Sequence, residues 1–261
     1  MKSELFDNEF SVQYALDVGV LRSSNQDQVI LCPEIGFFAV SDGMGGLAQG
    51  GKTSEIIAEV LPDIINEISE ELCDKKADVK KYGRVLCERV GFVSDNIFDI
   101  VNTQEIGFGA TLSCVWLIGD SAVYVNLGDS RGYLLPRCKR KIRQITEDHN
   151  ISGELLRLGE ITKEEMQGHP ASSRLTRFMG MPAPAYPDLF IEQVASGDRI
   201  LLCSDGLSGM LNDDQIVKGL RCSKSPRIVC DKLIGSACNA GGHDNISLVY
   251  IKVGDPNDRL E

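Results

Sequence analysis

The sequence lacks a zinc framework. Its nine cysteines include no Cys-x-x-Cys pair, and its three histidines form no cluster with them at metal spacing. Several cysteines, such as Cys114 and Cys203, sit inside apolar runs and read as small buried hydrophobes, which fits a reducing compartment. No apolar run is long enough to span a bilayer. The first ten residues, MKSELFDNEF, carry acidic side chains where a secretory leader needs an apolar stretch, so a cytoplasmic location away from membranes is expected. Basic residues are in deficit, 27 against 38 acidic, for a formal net charge of −11. That balance argues against a nucleic-acid partner, because phosphate contacts need a basic surface. Internal repeats, low-complexity tracts and linkers are also missing, so one compact domain is expected.

What is present suits a folded core: 43% of residues are apolar and 25% charged. Strand-like runs occupy 11–18, 28–32 and 36–41, and later 198–206 and 246–253. Between 110 and 135, three apolar runs are split by Gly119-Asp120-Ser121 and Gly128-Asp129-Ser130. That spacing predicts antiparallel hairpin neighbours. A helical stripe of Ile57, Val60, Leu61, Ile64, Ile65 and Ile68 runs from Ser54 to Leu72, with Pro62 a point of bending. Further helices are predicted within 84–101 and 226–238. Segment 150–187 is polar, rich in Gly and Pro, and reads as an irregular surface excursion of the kind that sets specificity. Hairpin groups of strands followed by long helices predict an α+β fold.

Residues 46–53 read G-x-x-x-x-G-K-T, the letters of a nucleotide-binding P-loop, which would put Lys52 on phosphate and Thr53 on magnesium. A P-loop enzyme needs strand–helix alternation around a parallel sheet, and the 110–135 region does not supply it. A second pattern competes. Asp42, Asp129, Asp205 and Asp244 each sit at the end of an apolar run beside glycine or a turn residue, and Asp27 lies just before a strand. Each alone is an ordinary turn. As a set they predict convergent carboxylates, which cannot all stay ionised without compensating cations. Oxygen ligands without Cys select magnesium or manganese.

These aspartates lie in eight ordered motifs. They are Arg22-x-x-Asn25-Gln26-Asp27, Ala39-Val40-Ser41-Asp42-Gly43-Met44-Gly45-Gly46, Gly109-Ala110-Thr111, Gly128-Asp129-Ser130-Arg131, Thr146-Glu147-Asp148-His149, Leu175-Thr176-Arg177, Ser204-Asp205-Gly206-Leu207 and Asp244-Asn245. In this set the chain resembles the metal-dependent type 2C Ser/Thr protein phosphatases, particularly their bacterial members.

The resemblance implies a four-layer α-β-β-α sandwich of two mostly antiparallel sheets flanked by helices. Residues 1–261 would form a single phosphatase catalytic domain, with a flap-like excursion around 150–187. It implies two Mn2+ or Mg2+ ions, with Asp42 bridging them, the Gly43 carbonyl on one, and Asp205 and Asp244 on the other. Asp129 matches the position of a third, weaker metal site. Asp27 is similar to the carboxylate that orients metal-bound water, and Arg22 to the arginine that grips the substrate phosphate. Partners would be phosphorylated proteins, including a Ser/Thr kinase and its substrates, acted on by a monomer.

Gln26 stands where the family often has Glu, which removes one negative charge. Met44 stands where some animal members have a proposed acid histidine. His149 and His243 read as structural and His169 as exposed, so no catalytic histidine is expected. Two other readings leave motifs unexplained or underused: a Ser/His/Asp hydrolase at Ser130, and a degenerate phosphatase fold serving as a binding module. Against the latter, Asp42, Asp205 and Asp244 are intact.

Overall fold

The computed structural model describes residues 5–45, 50–72, 78–102 and 108–254. In chain order the elements are β1 (Phe10–Asp17), β2 (Asp27–Cys32), β3 (Phe37–Met44), α1 (Gly50–Glu71), α2 (Val79–Asn102), β4 (Gly109–Ala110), β5 (Leu112–Ile118), β6 (Ser121–Leu127) and β7 (Arg131–Leu135). There follow β8 (Arg143–Gln144), α3 (Ile151–Arg157), α4 (Lys163–Met166), β9 (Asp188–Gln193), β10 (Arg199–Cys203), α5 (Asp205–Ser208), α6 (Asp213–Leu220), α7 (Pro226–Asn239) and β11 (Ile246–Val253).

Two antiparallel sheets form the middle of the molecule. One has the order β1-β11-β10-β7-β8, and the other β2-β3-β5-β6-β9 with β4 paired to β3. Successive side chains on a strand point to opposite faces, and here both faces are covered. On β3, Phe38 and Val40 pack between the sheets with Phe10, Val115, Leu202 and Val249. Their neighbours Phe37 and Ala39 face α1 and α2, against Ile57, Leu61, Ile65, Leu86 and Val90. Across the molecule, Leu201, Leu248 and Tyr250 face Ile216, Leu220, Val229 and Leu233 of α6 and α7. Three apolar layers therefore separate four layers of structure, the predicted α-β-β-α sandwich.

Several local expectations change. The two turns in 110–135 are not equivalent. β5 and β6 pair as a hairpin, but β6 goes on to pair with β9 and β7 pairs with β10 in the other sheet. Gly128-Asp129-Ser130 is a crossover between sheets: Gly128 has φ +122°, and a Cβ there would press on Thr111. Short spacing permits a hairpin; burial on both faces decides against it here. The first long helix starts at Gly50, four residues before the predicted start, and continues through Pro62. Thr53 and Ser54 therefore lie within it, both buried. Ser54 Oγ donates to the Gln26 carbonyl at 2.6 Å, while Lys52 is half-buried. The excursion 150–187 holds the two short helices α3 and α4 and is otherwise irregular. With both sheets antiparallel, the P-loop reading fails; Gly46 to Gln49 of its pattern lie outside the described residues.

Candidate metal centre

The predicted site residues gather at one end of the two sheets. Asp27 opens β2 directly opposite Asp42 of β3. Asp42 is not beyond its strand, as the apolar run suggests, but inside it, because β3 continues through Gly43 to pair with β4. Thr111 fixes this stretch from both sides. Its backbone N–H donates to the Asp42 carbonyl at 2.8 Å, and its Oγ1 accepts from the Asp42 N–H at 3.0 Å. The Gly43 N–H donates to the Gln26 carbonyl at 3.1 Å. Asp205 begins α5 two residues after the end of β10, and Asp244 lies two residues before β11. Gly206 permits these two turns to touch, since a Cβ there would overlap the Asn245 carbonyl oxygen. Asp129 sits in the crossover turn, accepting from Asn150 Nδ2 at 3.1 Å.

Five carboxyls in one place repel each other's charge, and the proton affinities of Asp27, Asp42, Asp129 and Asp205 are all raised. Asp42 is raised well above the ordinary carboxylate range, by burial first and then by Asp27, Asp205, Asp129 and Asp244. Burial, with Asp205 and Asp148, likewise raises Asp129. Asp205 is raised by burial and by Asp244, with Arg131 opposing the shift. Asp27, 2% exposed, is raised to about 6, chiefly by burial, with the Ser204 and Ser247 hydroxyls acting against it. No hydrogen bond of ordinary geometry reaches either Asp27 oxygen or Asp205 Oδ1. Orphaned carboxyl oxygens under mutual repulsion fit hard divalent cations. Among the described residues no three His, Cys, Asp or Glu side chains already form a ligand group. Backbone oxygen such as the Gly43 carbonyl, and water, would have to complete any set. Arg22 Nη2 donates to Asp244 Oδ2 at 2.8 Å. Two predicted site residues thus neutralise each other.

The sequence model of protein phosphatase 2C matches residues 22–224. The chain belongs to the protein phosphatase 2C family. The serine/threonine phosphatase stp of Listeria monocytogenes serotype 4b is 33% identical over 215 residues, which is 82% of each chain. A serine/threonine protein phosphatase PstP from Mycobacterium tuberculosis is 31% identical over 241 residues, 92% of this chain and 44% of that protein. Among solved structures, the Stp1 phosphatase of Staphylococcus aureus superposes with a TM-score of 0.83 at 25% identity, covering 98% and 99% of the two chains. The PstP catalytic domain in complex with two manganese ions gives 0.76 at 29% identity, covering 94% and 99%.

Several residues of this phosphatase shape the site without having drawn attention as individuals. Asn245 is one. Its Oδ1 accepts from the Gln26 N–H, and its Nδ2 donates to the Val18 and Ser24 carbonyls, each at 2.9 Å. One buried amide therefore ties the loop bearing Arg22 to the turn bearing Asp244. Arg131 is another. It clasps Asp148 through Nε and Nη2 at 2.8 and 2.7 Å and donates to Tyr133 Oη at 3.1 Å. The motifs contained both residues, but no local pattern announces what a side chain will reach across the fold. His149 is structural, as expected. Its Nδ1 accepts from the Gly128 N–H at 3.1 Å, and its Nε2 meets Asp188 at 2.9 Å, steadying the Asp129 turn. His243 is exposed, whereas His169 is half-buried and accepts from the Ala171 N–H at 3.2 Å. A cleft of about 490 Å3 opens beside Asp129 and Asp205, between the excursion and α6.

Proposed function

We propose that this phosphatase removes phosphate from phosphoserine and phosphothreonine in proteins, using two divalent ions, Mn2+ or Mg2+, at the aspartate end of its sheets. The observation that carries the reading is Asp42: it feels the charge of all four other site aspartates. A carboxyl so placed gains most from a cation and loses most without one. Asp42, the Gly43 carbonyl, Asp205 and Asp244 would hold the pair, and Asp129 a third, weaker ion. Bound divalent ions would supply a water acidic enough to act as nucleophile at neutral pH.

The chain's own residues then have distinct tasks. Asp27, buried and lacking an ordinary hydrogen-bond partner, would accept a proton from that water and hold its orientation. Arg22 would leave Asp244 for the substrate phosphate, where its planar fork matches the oxygens and offsets developing charge. Its ion pair is about half exposed, at 48% for Arg22 and 36% for Asp244, and exposed pairs separate at little cost. Residues 1–261 would act as a single catalytic domain, monomeric and cytoplasmic, reversing a Ser/Thr kinase.

The test is phosphate release from a phosphothreonine peptide. Manganese should switch it on, a chelator should stop it, and a thiol reagent should leave it unchanged. Arg22→Ala should raise KM more than it lowers kcat. Metal-independent turnover would overturn the reading.

A further inference from the structure

The acidic chain carries a concentrated basic patch that phosphate hydrolysis does not explain. From the β7–β8 connection into the first residue of β8, residues 137–143 hold Arg137, Lys139, Arg140, Lys141 and Arg143 with no acidic residue among them. Five of the protein's 27 basic residues thus fall in seven positions, in a chain of net charge −11. All five are exposed, while Ile142 between them is buried among the α6 and α7 side chains and pins the segment down. The Arg137 N–H donates to Asp198 Oδ1 at 2.8 Å, a second anchor. Arg143 pairs with Glu192 at 2.5 Å. Lys139, Arg140 and Lys141 enter no ion pair among the described residues. Arg221, at the end of α6, donates to the Lys139 carbonyl and adds a further cation beside the segment.

The patch is continuous with the chemistry. Lys141 lines the same cleft as Asp129 and Asp205. Inside that cleft the charges are mixed, and Lys163 of α4 pairs with Asp213 of α6 at 2.7 Å. Lys139 and Arg140 precede Lys141 directly in the chain, so the exposed segment that reaches the cleft at Lys141 is wholly positive. A polypeptide leaving the aspartate end along the cleft would meet this rim next.

We propose that Lys139, Arg140 and Lys141, with Arg221, form a docking rim for an acidic segment of the phosphoprotein substrate, next to the residue being dephosphorylated. This rests on the phosphatase reading above and names a substrate class for it. Rim charges of this kind act through steering and salt-sensitive contacts. Unpaired cations held on an anchored loop lose little order in accepting a carboxylate-rich strand.

The experiment compares phosphothreonine peptides flanked by glutamates, on either side, with the same peptides carrying glutamines. The wild-type protein should show a KM about five-fold lower for the glutamate peptide that spans the rim, a preference erased by high salt. The double variant Lys139→Glu, Arg140→Glu should lose that preference while turning over p-nitrophenyl phosphate at the wild-type rate. Equal KM values for both peptides in the wild type, or an intact preference in the variant, would overturn the inference alone. So would wild-type binding to anionic phosphatidylserine vesicles or oligouridylate, lost in the variant, without any flank preference. No manganese-dependent turnover of any substrate would overturn the phosphatase reading and this inference with it.

Discussion

The two ends of β3 make opposite use of burial. Phe37–Val40 is wholly buried between two apolar layers, with Phe38 meeting Phe10 edge-on at 5.6 Å between ring centroids. Four residues on, the same strand carries Asp42 into a cluster of carboxyls whose charges oppose one another. The first half stabilises the fold by removing apolar surface from water. The second is held in an unfavourable arrangement by that stability, which is where a functional site departs from good packing. Neither half makes sense alone: a rigid core permits the repulsive cluster, and the cluster gives the core something to position.

The sharpest way to break this contrast is Asp42→Asn. It should lower manganese-dependent kcat/KM at least about a hundredfold. The metal-free variant should nevertheless melt about 2–4 °C higher in chelator, because one repelling charge is gone. A lower melting point together with retained activity would mean that the cluster is neither strained nor functional. The reciprocal change, Phe38→Ala, should cost about 3–5 kcal/mol of stability in denaturant titrations. Specific activity per folded molecule should hold.

Asn245→Ala tests the tie between the two regions. Three hydrogen bonds from a buried amide are lost, and about 1–3 kcal/mol of stability should go with them. KM should rise as the Arg22 loop loosens, while a purely structural amide would leave KM unchanged in the folded fraction. The smallest effect concerns pH. Burial alone would raise the Asp188 carboxyl, but His149 and Arg177 outweigh it and hold it well below the usual carboxylate range. A depressed folded value gives stability that is complete above the unfolded carboxylate pKa, about 3.9, and is lost as pH falls further. The melting-point gap between wild type and Asp188→Asn should therefore be open at pH 6 and narrow below about pH 4. A gap constant with pH would remove the ion pairs from the account.

Much of the fold was legible in the residues. The stripe on α1 faces Phe37 and Ala39 as its spacing predicts, and Pro226 does open a helix, α7. The short strand β9 and helix α6 were not foreseen: DLFIEQ and DDQIVKGL are too brief and mixed for periodicity to speak. Of the site, the aspartates themselves were readable because each stands at an abrupt change from apolar to turn-forming sequence. Asn245, Thr111 and the Arg131–Asp148 clasp were not, since their partners lie up to 227 positions away in the chain.

By itself the sequence determined which stretches must be buried, that oxygen-rich carboxylates punctuate them, and the family whose order of motifs they follow. Those properties are local: apolar alternation and side-chain chemistry are written residue by residue. Only the tertiary structure decided that Gly128-Asp129-Ser130 leaves one sheet for the other, that Arg22 reaches Asp244, and that a basic loop lies along the cleft beside the aspartates. Such pairings depend on which faces become buried together, and burial is a property of the whole chain.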